Sequence, residues 1–164
     1  MKIFLIGMPG SGKTTLGKEL AAHLGIEFVD LDAEIENVEG KSISEIFKQK
    51  GEMEFRLLEA RLLREWAGGN RDFVMATGGG APCFFHGMDT INKSGLSIFL
   101  DVPVPELIER VRKNTERPLL VSQDEQQLRE KLVAMREKRQ DCYRQAQVTL
   151  ENPSLEEALK KIAL

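Results

Sequence analysis

Cysteine is scarce in this chain: of 164 residues only Cys83 and Cys142 carry a thiol, far apart and without C-x-x-C or Cys/His spacing. Neither a disulfide framework nor a zinc site is indicated, and a reducing cytoplasm is the simplest setting. A basic excess is missing as well. With 23 basic against 26 acidic side chains and a formal net charge of −3, the surface lacks the broad positive face that nucleic-acid backbones require. Any bound anion must therefore be held locally. Long apolar runs are absent too. The amino-terminal MKIFLI is too short for a signal peptide, and no later run approaches the roughly 18 apolar residues of a membrane span. A soluble cytoplasmic protein is expected, with neither membrane nor nucleic acid as a partner. Repeats, low-complexity tracts and interdomain linkers are also lacking, so residues 1–164 read as one domain. What is present, 41% hydrophobic and 30% charged residues, lies inside the globular range and can make a packed core.

Short apolar strands alternate with amphipathic helices. Lys2 to Ile6 reads as a strand stopped by glycine, followed by Leu16, Leu20 and Leu24 at helical spacing. Glu27 to Asp30 is a second strand, and Ala33 to Val38 a brief helix with Asp32 as its N-cap. Ser42 and Glu45 form a capping box for a helix towards Lys50. After Gly51, Phe55, Leu58, Leu62 and Trp66 keep helical spacing until Gly68 and Gly69. Asp72 to Thr77 is a third strand running into Gly78, Gly79 and Gly80, and Leu96 to Asp101 is the strongest buried strand. Helices are expected at Val104 to Arg112, Glu125 to Ala146 and Leu155 to Ile162, with a last strand at Gln147 to Leu150. Such alternation calls for a parallel sheet covered on both faces.

Gly7-Met8-Pro9-Gly10-Ser11-Gly12-Lys13-Thr14 matches G-x-x-x-x-G-K-[ST] between a strand and a helix. Small residues there let successive backbone N–H groups wrap a phosphate at the positive end of the helix. Lys13 adds a cation for the β/γ-phosphates and the Thr14 hydroxyl can ligate Mg²⁺. Nucleotide binding follows, with ATP and Mg²⁺ as the expected cofactors. The use made of the nucleotide is written elsewhere. Asn92-Lys93-Ser94-Gly95 lacks the aspartate of a guanine-reading N-K-x-D and precedes its strand, so a GTPase switch is discounted.

Asp30 and Asp32 lie at the carboxyl end of the second strand, where open α/β sheets bind ligands. One could hold the metal and the other accept hydrogen bonds from substrate hydroxyls; the lesser alternative is that Asp32 is a plain helix cap. Arg56 sits at the margin of a buried stripe, a position shared by many surface ion-pairing arginines. Gly78-Gly79-Gly80 permits close backbone approach to a ligand or a simple turn. Asp101 ranks below Asp30 as a metal ligand, because Val102-Pro103 at once begins the next connection. His23 and His86 show no base or ligand constellation.

GMPGSGKTT, FVDLDAEIE, the E-x-E-F-R-x-x-E stretch Glu52 to Glu59, ATGGGAP, the RPLL after Asn114, and Arg139 ahead of Tyr143 occur in an order that resembles the shikimate kinases over nearly the whole chain. The resemblance implies a three-layer α/β P-loop kinase fold with a central five-stranded parallel sheet, of the nucleoside-monophosphate-kinase type. It implies phosphorylation of the 3-hydroxyl of shikimate by ATP, in aromatic amino-acid biosynthesis. Nucleotide binding then falls to Gly10, Ser11, Gly12, Lys13, Thr14 and Thr15, with Arg110 and the Asn152-Pro153 turn beside adenine. Thr14 and Asp30 hold Mg²⁺. Asp32, Arg56, the Gly78–Gly80 run and Arg139 hold the ring acid, Arg136 being the competing arginine, within an acceptor region at about 31–61. Arg117 reaches the transferring phosphate from a lid at about 112–124, so Lys13, Asp32 and Arg117 form the catalytic set. A monomer is expected. The chain departs from many relatives at Arg139-Gln140-Asp141-Cys142, at Pro82 and at Phe84-Phe85. Two other readings remain: a P-loop kinase for another small polyol acid or a nucleoside monophosphate, which would share the front half of the sequence, and a nucleotide-binding regulator that has lost turnover, against which Lys13, Asp30, Asp32 and Arg117 count.

Overall fold

The computed structural model describes residues 1–113 and 124–162. Five strands, β1 (Lys2–Ile6), β2 (Glu27–Asp30), β3 (Phe73–Ala76), β4 (Leu96–Leu100) and β5 (Val148–Leu150), are interleaved with helices α1 (Lys13–Leu24), α2 (Leu31–Glu39), α3 (Ile43–Gly68), α4 (Gly87–Ser94), α5 (Val104–Lys113), α6 (Glu125–Tyr143) and α7 (Leu155–Ile162). A 3₁₀ turn, Ala81–Cys83, joins β3 to α4. All the strand pairings are parallel, in the order β2-β3-β1-β4-β5.

Successive strand residues point to opposite faces, and both faces are apolar. Phe4, Ile6, Phe73, Met75 and Phe99 enter one core with Phe55, Leu62 and Leu63 of α3 and Leu107 of α5. Ile3, Leu5, Val74, Ile98 and Leu100 enter a second with Leu16 and Leu20 of α1 and Ala158 of α7. The result is the three-layer α/β arrangement expected from the alternation. Phe73 lies edge-on to Phe4 at 5.4 Å and to Trp66 at 5.5 Å, tying α3 to the sheet. Burial of each such side chain contributes about 1.5–3 kcal/mol.

The register brings the working ends of the strands level. Asp30 pairs with Ala76, Ala76 with Leu5, and Ile6 with Phe99. The phosphate loop, the Asp30–Asp32 segment, the triple glycine and Asp101 thus emerge together at the carboxyl edge. This edge flanks the switch point beside β1, where the connection from β1 runs to β2 on one side and that from β3 crosses to β4 on the other.

Several local expectations change. Ser42 caps α3 as its capping box requires, its Oγ accepting from Glu45 N at 3.1 Å. The stripe beyond Gly51 continues in the same element across a kink, where Gly51 takes φ 82°. The helix after β2 begins at Leu31, so its N-cap is Asp30 rather than Asp32: Asp30 Oδ1 accepts from Asp32 N at 3.0 Å and Ala33 N at 3.3 Å. Helix α4 was not foreseen, since GMDTINKS is poor in strong helix formers. The cysteines are also corrected: Cys83 and Cys142 are paired in a disulfide, 59 residues apart in sequence with Cα atoms 5.6 Å apart. Wide sequence spacing carried no information here, because the 3₁₀ turn packs against the carboxyl end of α6. Among the described residues no helix is long and apolar enough to cross a membrane. Arg117 and residues 114–123 of the expected lid lie outside the described residues.

Candidate active site

The phosphate loop leaves β1 through Gly7 and enters α1 through Gly12, whose φ of 93° and ψ of 18° are left-handed. A side chain at Gly7 would also place its Cβ 2.9 Å from the Leu100 carbonyl oxygen. These positions need glycine for conformation and for space. Helix α1 carries no acidic residue in its first turn and no side-chain cap, so its positive end is presented to whatever anion the loop encloses. The Ser11 hydroxyl is buried without a hydrogen-bond partner. Lys13 Nζ donates to the Gly7 and Met8 carbonyls at 2.7 and 3.0 Å, which holds the ammonium over the loop.

A cavity of about 850 Å³ opens on this loop, lined by residues 10–15 on one side and by Asp30, Arg110 and Pro153 elsewhere on its wall. Arg110 comes from α5, donating to the Gly10 carbonyl at 3.4 Å and to Glu106 at 2.8 Å. Asn152 is exposed and stands one residue outside the lining that Pro153 begins. Thr14 and Asp30 face the same cavity. A hydroxyl and a carboxylate are donors that Mg²⁺ accepts alongside phosphate and water oxygens, and the α2 cap uses only Oδ1 of Asp30. The residues present therefore fit that ion.

The triple glycine is explained by side chains rather than by backbone conformation, since none of Gly78, Gly79 and Gly80 has positive φ. Each stands where a Cβ would strike a charged group. At Gly78 it would lie 2.9 Å from Asp32 Oδ1 and 3.0 Å from Glu59 Oε2; at Gly79, 2.8 Å from Arg139 Nη1. At Gly80 it would overlap the Arg56 guanidinium. Three successive residues without side chains thus admit the carboxylates of Asp32 and Glu59 and the guanidinium groups of Arg56 and Arg139 to the carboxyl edge of β3. Pro9 of the phosphate loop comes within 3.4 Å of the Gly79 Cβ position, so this cluster and the phosphate loop adjoin.

Arg56 is buried, 8% exposed, and is not the surface arginine its position at the stripe margin allowed. Its guanidinium lies 4.3 Å from the Phe84 ring and 5.2 Å from the Phe55 ring, and Nη1 donates to Glu59 Oε1 at 3.0 Å. Glu59, 1% exposed, is a member of the site that residue-by-residue reading did not assign, although its place three residues after Arg56 on a helix signals such a pair. Burial pushes the Glu59 carboxyl up to about 7, against the pull of Arg56. Burial also raises Asp32, and the nearby Asp30 carboxylate adds to this while Lys13 opposes it. Tyr143 donates to the Gly79 carbonyl at 2.5 Å and shares the cluster with Arg139. Arg136 goes elsewhere: its Nη2 donates to Asp101 Oδ1 at 3.0 Å, which also occupies the carboxylate considered as a second metal ligand.

Comparison with known proteins gives the family. The family described as shikimate kinase matches residues 9–163. A shikimate kinase of Bacteroides fragilis is 46% identical over 147 residues, 89% of this chain and 82% of that protein. One from Parabacteroides distasonis is 43% identical over 152 residues, 92% and 87% of the two chains. Among solved structures, the shikimate kinase of Bacteroides thetaiotaomicron superposes with a TM-score of 0.94 at 35% identity, covering 100% of this chain and 99% of that one. The Acinetobacter baumannii shikimate kinase, solved in complex with shikimate, superposes at 0.86 with 34% identity, covering 99% and 90%. With its matched span, its sheet order and its phosphate loop all in agreement, the chain belongs to the shikimate kinase family.

Proposed function

We propose that this chain transfers the γ-phosphoryl group of ATP to the 3-hydroxyl of shikimate, the activity of its family in aromatic amino-acid biosynthesis, and that its residues divide the work as follows. The backbone N–H groups of residues 10–15 and the Lys13 ammonium hold the phosphates. Arg110 and the Asn152-Pro153 turn flank the base. Thr14 and Asp30 hold Mg²⁺, which supplies charge neutralisation across the phosphate oxygens when bound. The acceptor carboxylate lies against Arg56 and Arg139, and its hydroxyls meet Asp32. The raised Asp32 pKa brings this carboxylate nearer the basicity useful for taking the hydroxyl proton, although a loose phosphoryl-transfer transition state asks little of a base. Arg117 acts late, on the transferring group, from the lid at about 112–124. The enzyme works as a cytoplasmic monomer, with neither nucleic acid nor membrane as a partner.

One observation carries this reading: the Asp32 carboxylate and the guanidinium groups of Arg56 and Arg139 meet the triple glycine directly beside the phosphate loop. Two cations suit a carboxylate, and a carboxylate suits adjacent hydroxyls. A nucleoside monophosphate would ask for cations around its phosphate and has no use for Asp32 at that place. The test is a coupled ADP-release assay against shikimate, gluconate and the nucleoside monophosphates. Turnover on shikimate alone is expected. Turnover on a nucleotide without turnover on shikimate overturns the assignment, and absence of turnover on every acceptor in a folded, ATP-binding protein points to a regulator.

A further inference from the structure

The disulfide joins two elements that both carry acceptor-site groups. Cys83 ends the 3₁₀ turn that begins one residue after Gly80, and the next residue, Phe84, lies against the Arg56 guanidinium. Cys142 lies on α6, three residues after Arg139 and one before Tyr143, so Arg139 and Cys142 share a helix face. Beside the bridge, the Tyr143 hydroxyl of α6 donates to the carbonyl of Gly79, two residues before the turn. Both cysteines are half-buried rather than sealed in the core. The bridge is thus the covalent part of the contact that sets Arg139 and Arg56 relative to the triple glycine.

We propose that Cys83–Cys142 is a thiol–disulfide exchange site through which the surrounding thiol pool sets the affinity of the acceptor pocket. The inference rests on the reading of Arg56 and Arg139 as groups that hold the acceptor carboxylate. A thiolate of a dithiol reductant attacks one cysteine sulfur, the S–S bond breaks, and the released cysteine thiolate takes a proton. The second thiolate of the reductant resolves the mixed disulfide, leaving two protein thiols and one oxidised dithiol, with two electrons passed to the protein. A disulfide oxidant runs the sequence backwards. In a reducing compartment a bridge of this kind is transient and signals redox state rather than acting as a permanent staple. With the bridge intact the pocket is pre-organised. With it open, α6 and the 3₁₀ turn must be ordered by the acceptor itself, and that cost falls on binding.

The test measures steady-state kinetics on the full chain, oxidised with glutathione disulfide and reduced with dithiothreitol, with thiol titration counting the free cysteines in each state. Reduction should raise the KM for shikimate by about 2- to 12-fold, the scale of ordering one interface side chain, and leave the KM for ATP unchanged. Cys83→Ser and Cys142→Ser should each show the reduced KM and no response to dithiothreitol. If one variant fails to fold, the other and the reduced wild-type chain carry the same comparison. Equal KM values in the two states, an equal rise in the KM for ATP, serine variants that still respond, or thiols that do not re-form the bridge would each overturn the proposal. Arg139→Ala separates the two readings. If it raises the KM for shikimate while redox state does not, only the exchange site falls; if it leaves that KM unchanged, the acceptor assignment falls.

Discussion

Adding one methyl group at Gly80 should disable the acceptor site without touching the nucleotide site. The three atoms nearest a Cβ at this position all belong to the Arg56 guanidinium, at distances no real Cβ contact shows. Non-bonded carbon contacts settle at about 3.5–4.0 Å, so in Gly80→Ala the guanidinium must retreat by about 1 Å. It has little freedom to do so, being 8% exposed, stacked on Phe84 at 4.3 Å and bonded to Glu59 at 3.0 Å. Overpacking of this kind costs about 1–3 kcal/mol of stability. A charge-assisted contact to the substrate carboxylate is worth about 1.5–3 kcal/mol, so its loss should raise the KM for shikimate by about 10- to 150-fold. The KM for ATP should hold, because Gly80 does not line the nucleotide cavity. The assay is steady-state kinetics on Gly80→Ala, Arg56→Ala and the double variant. If the methyl group acts through Arg56, it adds almost nothing once Arg56 is alanine. A folded Gly80→Ala enzyme with wild-type KM, or a methyl effect of full size in the Arg56→Ala background, refutes the reasoning.

Lys13→Ala should nearly abolish turnover while leaving the melting curve close to wild type, since Lys13 is only half-buried and its Nζ bonds the loop carbonyls of Gly7 and Met8; normal turnover in a folded variant removes the phosphate-loop assignment. Arg139→Ala should raise the KM for shikimate by about 10- to 150-fold, whereas Arg117→Ala should lower kcat by about 10³ to 10⁵, as expected of a cation that acts in the transition state. Unchanged values of those two constants would return the carboxylate to Arg136 and end the lid assignment, respectively. Glu59 makes a pH prediction. Its carboxyl ionises at about 7 in the folded chain against an ordinary value of 4.5, so the folded state binds the extra proton between these limits. The associated stability is present in full below about 4.5 and is lost as pH rises through about 7, on the order of 3 kcal/mol. Glu59→Gln keeps an acceptor for Arg56 but cannot ionise, so urea unfolding at pH 5 and pH 8 should show a smaller fall in stability than wild type; equal falls would mean that Glu59 does not titrate in this window.

What the sequence by itself determined about this protein is what short stretches of chain decide locally. The phosphate loop is contiguous, and its glycines, Lys13 and Thr14 have one favourable arrangement between a strand and a helix, so both its identity and its place were legible. The two-faced strands were legible too, because Phe4 and Ile6 alternate with Ile3 and Leu5, and only a sheet covered on both sides buries all four. The capping box at Ser42 and the interruption at Gly51 belong to the same local class. The triple glycine was legible as a place of close approach, but not what approaches it. That was decided by tertiary structure, because Asp32, Arg56 and Arg139 reach one strand end from three elements. Helical periodicity sets residues on a face of their own helix and is silent about what that face meets. Arg136 and Arg139 are three residues apart, yet one is bonded to Asp101 beyond β4 and the other stands beside Gly79 beyond β3. The same limit applied to Glu59, whose burial comes from the packing of α3 beneath the glycine turn, and to Asp30, which became the cap only because α2 starts two residues early. The limit applied most fully to Cys83 and Cys142, brought to 5.6 Å between Cα atoms by the docking of α6 against the 3₁₀ turn.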